Sequence, residues 1–455
     1  MNPSSPHVTG SSASSLARVF KSLAAVEPSE VRAVFLSMLY FFFLFGSYSV
    51  VKPVRDTMGT VYGVSHLQDL FTATLFGCLL LAPLYSLLAS RVKLSTFLPW
   101  VYVCVGLSVL GFYALFVGAR VPSRWIAALF YVWVSTFNML IISVFWTFMS
   151  DTFSRTQAKR LFGFVAAGGT VGGIVGPAIA TLLARSIGNY NLMLISAIGF
   201  IMTAVLVRLL AHEKQRMRAS GAEAQPTTLS HRLGSGNPFA GFSLLLRSRY
   251  LLLLALFLLL MTWISTVVYF QLGELITRAF TNHAARTQAY ALIDLAVNSI
   301  AVLVQLFGTG RLIGKFGVTA GLLLNPVIMV IAFLGLAFSP VLLVLGGIQV
   351  VRRVAEYAVA KPSREMLFTV VDQESRYKAK NVIDTVVYRF GDVSAAWISS
   401  AILPHGVGVL AVFGALVSVV WFPIAYLLGR RYEHARSGEL PAAAARGAEA
   451  VRIAN

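Results

Sequence analysis

Ionisable residues are scarce in this sequence. Asp, Glu, Lys and Arg make up 12% of 455 residues, about half the share found in soluble domains, which is too little to coat a water-exposed surface of ordinary size. Acids are scarcer still, 18 against 37 Lys and Arg, for a formal net charge of +19. Cysteine is nearly absent. The two present, Cys78 and Cys104, lie inside apolar runs, which argues against a disulfide framework and reads them as small residues in the core or facing lipid. There is no His, Cys and carboxylate spacing suited to a metal and no nucleophile elbow, so the sequence predicts no enzyme, no metal site and no cofactor. Residues 1–25 are rich in Ser and Ala but hold no apolar core followed by a small-residue cleavage site, so the first apolar run is expected to stay in the mature chain.

Apolar residues account for 57% of the chain and mean hydropathy is +0.76, the composition of an integral membrane protein. Runs long enough to cross a bilayer, about 20 residues each, occupy 33–51, 67–89, 97–119, 125–149, 161–184, 190–211, 249–275, 287–308, 317–339, 340–360, 381–403 and 406–428. The expected fold is therefore all-α, with twelve transmembrane helices. After the sixth run, 212–246 carries Glu-Lys-Gln-Arg-Met-Arg and then Ser, Gly, Pro and Thr, the pattern of a flexible linker. The expected organisation is a tail 1–32, a six-helix half 33–211, the linker 212–246, a second six-helix half 247–428 and a tail 429–455.

One pattern occurs twice. Asp151, Ser154, Arg155, Ala158 and Lys159 recur as Asp372, Ser375, Arg376, Ala379 and Lys380, every residue displaced by 221. The copies follow the fourth and the tenth run, at equivalent places in the two halves, which points to an internal duplication. Six helices plus six in a parallel repeat is the layout of major facilitator transporters. Asp151, Arg155, Asp372 and Arg376 are accordingly expected to form a cytoplasmic gate.

The basic residues set orientation. With the N-terminus in the cytoplasm, the cytoplasmic segments hold 25 Lys and Arg and the outer loops 7, so the positive-inside rule places both termini inside. The same distribution accounts for the net charge. It spreads over short loops beside anionic headgroups, with no basic face interleaved with aromatics, and no nucleic-acid partner is expected.

Charges within the apolar runs are the informative ones, because an ionisable group at membrane depth usually faces a cavity and carries function. Lys52, Arg55 and Asp56 stand at the exit of the first run, Asp294 and Asn298 in the eighth, Arg352, Arg353 and Glu356 in the tenth, and Asp384, Arg389 and Asp392 in the eleventh. Arg352 and Glu356 are spaced i,i+4 and can neutralise each other on one helix face, leaving Arg353 for a substrate anion. Lys52, Arg55, Arg353 and Arg389 are the candidate substrate-binding cations. Asp56, Asp294, Glu356, Asp384 and Asp392 are candidates for coupling or ion pairs. Trp146 and Tyr388 could stack on a base, although helix packing is the commoner use of such aromatics. In the fifth run Gly168, Gly172 and Gly176 recur every four residues, a small-residue spacing that lets helix backbones approach closely in lipid; a phosphate loop would need Gly-Lys-Ser/Thr, which is absent.

The glycine-rich fifth run ending in Gly176-Pro177 resembles the antiporter motif of major facilitator proteins, and Gly310-Arg-Leu-Ile-Gly314-Lys315-Phe-Gly317 resembles their cytoplasmic loop motif. Three stretches resemble the ATP/ADP translocases of intracellular bacteria and plastids, the nucleotide transporter family. They are Val54-Arg55-Asp56-Thr57; Val144-Phe145-Trp146 leading through Ala158-Lys159-Arg160; and Lys361-Pro-Ser-Arg-Glu365-Met366 continuing through Lys378-Ala-Lys380 and Asp384 to Arg389-Phe390-Gly391. The resemblance implies Arg55, Asp56 and Arg389 as site residues and exchange of an organic anion, a nucleotide or other phosphorylated metabolite, across a bacterial-type inner membrane by alternating access. The chain departs from the pattern at Met58-Gly59 and Asp392, where those translocases carry lysines, and at Asn138, where they carry acids. Candidate cations and acids then nearly balance, which suits a substrate of one or two negative charges. The expected partners are that small anion and the bilayer, with the chain a monomer. Two other readings stay open: a proton-coupled transporter of an uncharged or weakly acidic metabolite, with Asp294 or Asp384 carrying the proton, and a non-transporting scaffold or sensor.

Overall fold

The computed structural model describes residues 26–27, 30–91, 94–118, 124–219, 240–338, 341–371, 379–380 and 382–437. Each of the twelve apolar runs coincides with helix: α1 Val31–Tyr62, α2 Leu67–Arg91, α3 Leu94–Gly118, α4 Arg124–Thr152, α5 Arg155–Ile187, α6 Leu192–Ala219, α7 Arg249–Ala279, α8 His283–Phe307, α9 Thr309–Phe338 and α12 Val407–Ser437. These ten are long and apolar enough to cross a membrane. The remaining two runs form helices broken by a wider turn. In α10, Leu342–Ala355 passes through a π-helical turn, Glu356–Ala360, into Lys361–Leu367; in α11 a π-helical turn, Ile383–Val387, leads into Tyr388–Ile402. No strand occurs among the described residues. Away from their ends, helices satisfy their backbone amides internally, which is what a hydrocarbon environment demands.

Helix ends follow local chemistry. Ser154 caps α5 in a capping box, its hydroxyl accepting from Gln157 N while the Gln157 side chain accepts from Ser154 N. Asn282 accepts from Ala284 N at the start of α8. Gly63, at φ 123°, and Gly406, at φ 114°, make the turns before the next helix, a backbone region open to glycine and strained for other residues. Gly317, at φ 79°, breaks α9 near its start.

By their contacts the helices fall into two units, one of residues 1–54, 78–122 and 133–234, the other of 55–77, 123–132 and 235–455. Within the first, α3 lies along α6; within the second, α9 lies along α12. The glycine face of α5 meets α1: a Cβ on Gly168 would overlap the Met38 carbonyl, one on Gly172 would lie 2.5 Å from Phe42 O, and one on Gly176 2.6 Å from Gly46 O. Gly391 of α11 is pressed in the same way on Thr262 of α7. Both pairings, third with sixth and first with fifth, recur six helices later, which is the duplicated fold of the expectation. The first unit has an aromatic core in which the Tyr40 and Tyr102 hydroxyls bond at 2.5 Å and Phe41 stacks on Phe145.

Two boundaries differ from the hydropathy reading. α1 runs on to Tyr62 through Pro53, because Lys52, Arg55 and Asp56 lower local hydropathy without breaking the helix. α6 runs on to Ala219, where Lys214 and Glu213 pair with Asp151 and Arg32. Of the expected linker, 212–219 is therefore helical, Ala240–Arg247 forms a short helix, and 220–239 lies outside the described residues.

Candidate functional site

Three helices of the second unit bring buried ions together. Arg353 of α10 bonds Asp294 of α8, lies with its guanidinium 5.4 Å from the ring centre of Tyr357, and reaches the Tyr357 hydroxyl at 3.3 Å. One turn of helix separates Arg353 from Tyr357, so the ring is positioned by the π-helical turn. Arg353 is thus not the unmatched cation that spacing alone suggests. Its neighbour Arg352 donates to Glu356 at 2.8 Å, to Gln349 at 3.0 Å and to Ser265 of α7 at 2.7 Å, so the i,i+4 pair does form and is fixed further by two neutral groups. On α11, Arg389 lies 3.4 Å from Asp392 and 5.9 Å from the Tyr388 ring centre. The three guanidinium side chains are only 7%, 13% and 19% exposed for Arg352, Arg353 and Arg389. Each therefore needs a counter-charge or several hydrogen bonds to sit at that depth.

A second group closes around the end of α1. Arg55 donates to Asp56 at 2.6 Å, and Asp56 also accepts from the Tyr269 hydroxyl of α7 at 3.1 Å. Tyr131 of α4 donates to Tyr269 at 3.2 Å and takes the Arg55 guanidinium over its ring at 5.3 Å. Nearby, Thr57 and Thr287 share a hydrogen bond of 2.8 Å and Arg286 of α8 donates to Thr60 at 3.1 Å. Farther along, Ser400 of α11 bonds Gln68 of α2 at 2.5 Å and Trp397 donates to Thr72 at 3.1 Å. The ends of α1, α2 and α4 are thus tied to α7, α8 and α11 by neutral and charge-assisted bonds together.

At the other end of α10, Glu365 pairs with Lys380 and, at 3.3 Å, with Arg364, which lies 3.6 Å from Asp384. Burial pushes the Glu365 carboxyl upward, but Lys380 and Arg364 outweigh it and hold the group below its ordinary value. Asp384 Oδ1 is buried and accepts no hydrogen bond among the described residues.

Among the remaining candidates, Lys52 is half-buried on α1. Asp151 pairs with Lys214 at 2.5 Å, within one unit. The side chain of Arg155, and the whole of Asp372 and Arg376, lie outside the described residues, so of the four expected gate residues only the Asp151 side chain is described. Trp146 packs its ring on Phe41, Phe145 and Phe162, the packing use of such a side chain. Among the described residues no cluster of three His, Cys or acids could hold a metal. Reading charges alone missed Tyr131, Tyr269, Gln349, Ser265 and Arg286. Spacing carried a signal for Tyr357, which stands i+4 from Arg353, and for Gln349, which stands i−3 from Arg352.

A search of protein families matches the Major Facilitator Superfamily over residues 29–359. The ADP,ATP carrier protein 1 of Chlamydia trachomatis serovar D is 25% identical over 363 residues, 71% of this chain and 69% of its own length. The ADP,ATP carrier protein 2 of Chlamydia pneumoniae is 22% identical over 90% of each chain. Among solved structures, an inward-facing, unoccupied bacterial homolog of the human lysosomal transporter Spinster superposes with a TM-score of 0.64 at 14% identity, over 90% of this chain and 99% of that one. A bacterial homologue of the iron transporter ferroportin gives 0.62 at 12% identity, over 88% and 98%.

Proposed function

We propose a cargo for a chain that belongs to the Major Facilitator Superfamily. Family and fold support a membrane transporter of a small molecule; the cargo we infer is an organic anion, a nucleotide or another phosphorylated metabolite, carried by alternating access across an inner membrane with both termini cytoplasmic. The observation that carries this is the set of three buried arginines on α10 and α11, each already beside a carboxylate. A guanidinium fork grips phosphate or carboxylate through paired N–H bonds, and an entering anion competes for it with the resident acid. The names of the chlamydial relatives support a nucleotide as the cargo.

Charge sets the size of the ligand's charge. Arg352, Arg353 and Arg389 face Glu356, Asp294 and Asp392 one for one, so a triphosphate would bring several uncompensated charges to membrane depth, each costing several kcal/mol. A ligand of one or two negative charges fits better. Arg55 and Lys52 on α1 complete the proposed binding cations, and Asp151, Arg155, Asp372 and Arg376 the proposed cytoplasmic gate. A thermal-shift screen of the purified protein against nucleotides, sugar phosphates and dicarboxylates tests the assignment: stabilisation by mono- or dianions, lost in Arg389→Gln, is the expected result, and stabilisation by uncharged solutes alone contradicts it. Asp384, whose Oδ1 accepts no hydrogen bond among the described residues, favours a second reading in which a proton is coupled. In that case Asp384→Asn changes the pH dependence of uptake more than ligand affinity.

A further inference from the structure

A groove of about 630 Å³ opens on the second unit between α7, α11 and the end of α12. Its wall is apolar, with Leu252, Leu256, Phe390 and Leu427 among the lining side chains, and it carries Arg249 and Arg431. Those four apolar side chains are all more than a third exposed, Phe390 at 60%. In a protein that spans a membrane, such a surface meets acyl chains. The lining residues of α7 run from Arg249 to Leu259, roughly 15 Å of helix at about 1.5 Å per residue, which is half of a hydrocarbon core about 30 Å thick. The groove is therefore one leaflet deep.

Its charge lies at one end. Arg249 begins α7 and Arg431 follows the apolar run of α12, so both stand where the helices leave hydrocarbon. Both are exposed, and no ion pair among the described residues takes up either charge. The rest of the lining has no carboxylate. The π-helical turn of α11 adds its own contribution, because Val386 and Val387 on that turn form part of the wall.

The geometry points to a binding site for one anionic glycerophospholipid, its acyl chain in the groove and its phosphate between Arg249 and Arg431. A zwitterionic lipid offers the same chains but brings its own cation to the headgroup, so the two arginines select for net negative charge. Each basic residue near an anionic surface contributes about fivefold in affinity, so the pair together contributes roughly 30-fold.

Native mass spectrometry of the detergent-purified full chain, titrated with a palmitoyl-oleoyl phosphatidylglycerol or the matching phosphatidylcholine, tests the site. The wild-type protein is expected to hold one phosphatidylglycerol far more tightly than any phosphatidylcholine. The double variant Arg249→Gln/Arg431→Gln should lose roughly 30-fold for that first phosphatidylglycerol while its affinity for phosphatidylcholine and its lipid-free Tm stay unchanged. Leu256→Trp, which fills the groove without altering charge, should lose the tight lipid as well. Equal first-site affinities for the two lipids in the wild-type protein would overturn the proposal, as would phosphatidylglycerol binding unchanged in the double variant. Tight binding seen only after removal of residues 438–455 would also overturn it, since the groove would then be the seat of the chain's own C-terminal segment.

Discussion

At the scale of single residues the buried ions act as pairs, and this separates stability from binding. Arg353→Gln takes from Asp294 the guanidinium it is bonded to, and removing one member of a buried ion pair costs roughly 3–5 kcal/mol in comparable cases. Adding Asp294→Asn removes the other charge of the pair. Thermal unfolding of the solubilised protein should therefore show a large drop for Arg353→Gln and recovery of most of it in the double variant, while anion binding stays weak in both; recovery of binding along with stability would assign Arg353 a structural role only. Glu365, beyond the apolar part of α10, gives a pH test. Its carboxyl is held below the ordinary value of 4.5 by Lys380 and Arg364 against the upward push of burial, so its contribution is present above pH about 4.5 and is lost as pH falls through the lower folded value. The Tm of the wild-type protein should fall in that acid range more steeply than that of Glu365→Gln; parallel curves would contradict the pairing. Spacing revealed the Arg352 and Glu356 pair because both lie on one helix face. It could not reveal Asp294, which stands 59 residues from Arg353, or the tyrosines, whose hydroxyls leave no mark on a charge count.

Among the elements, α1 and α5 show how a small-residue stripe becomes contact between backbones. Gly168→Val would drive a branched side chain into the Met38 carbonyl, and in a packed interior such overpacking costs typically 1–3 kcal/mol or more. Gly163 lies on the same helix with nothing within 4 Å of an added Cβ, so Gly163→Ala should be neutral or stabilising by up to about 1 kcal/mol through its better helix propensity. Similar Tm changes for the two substitutions would mean that α5 does not pack as described. The ten long membrane helices were legible because hydrophobic length is a direct physical requirement of the bilayer. Their ends were less so. Lys52 to Asp56 read as the exit of a helix, yet α1 continues because a tyrosine and an arginine satisfy Asp56 in place. The π-helical turns of α10 and α11 had no signature in the sequence; they adjoin the buried arginines, a frequent location for such turns in functional sites.

For the molecule as a whole, the proposed alternating access makes the ties around the end of α1 the bonds to test. Tyr269 links Asp56 to α7 by one hydrogen bond of 3.1 Å, so Tyr269→Phe should weaken that tie by about 1 kcal/mol. Cysteine reporters placed at Gln68 or Ser400 should then label faster in Tyr269→Phe than in the parent; unchanged labelling would mean that the tyrosine does not hold these helix ends together. The central claim, however, is that the arginines of α10 and α11 recognise an anion. Uptake of radiolabelled solutes into proteoliposomes, comparing a nucleoside monophosphate, a triphosphate and the uncharged nucleoside in wild-type and Arg389→Gln protein, tests it most directly. The account predicts uptake of the monophosphate, little of the nucleoside, and loss of monophosphate uptake in the variant; uptake of the nucleoside alone, or triphosphate transport untouched by the substitution, would contradict it.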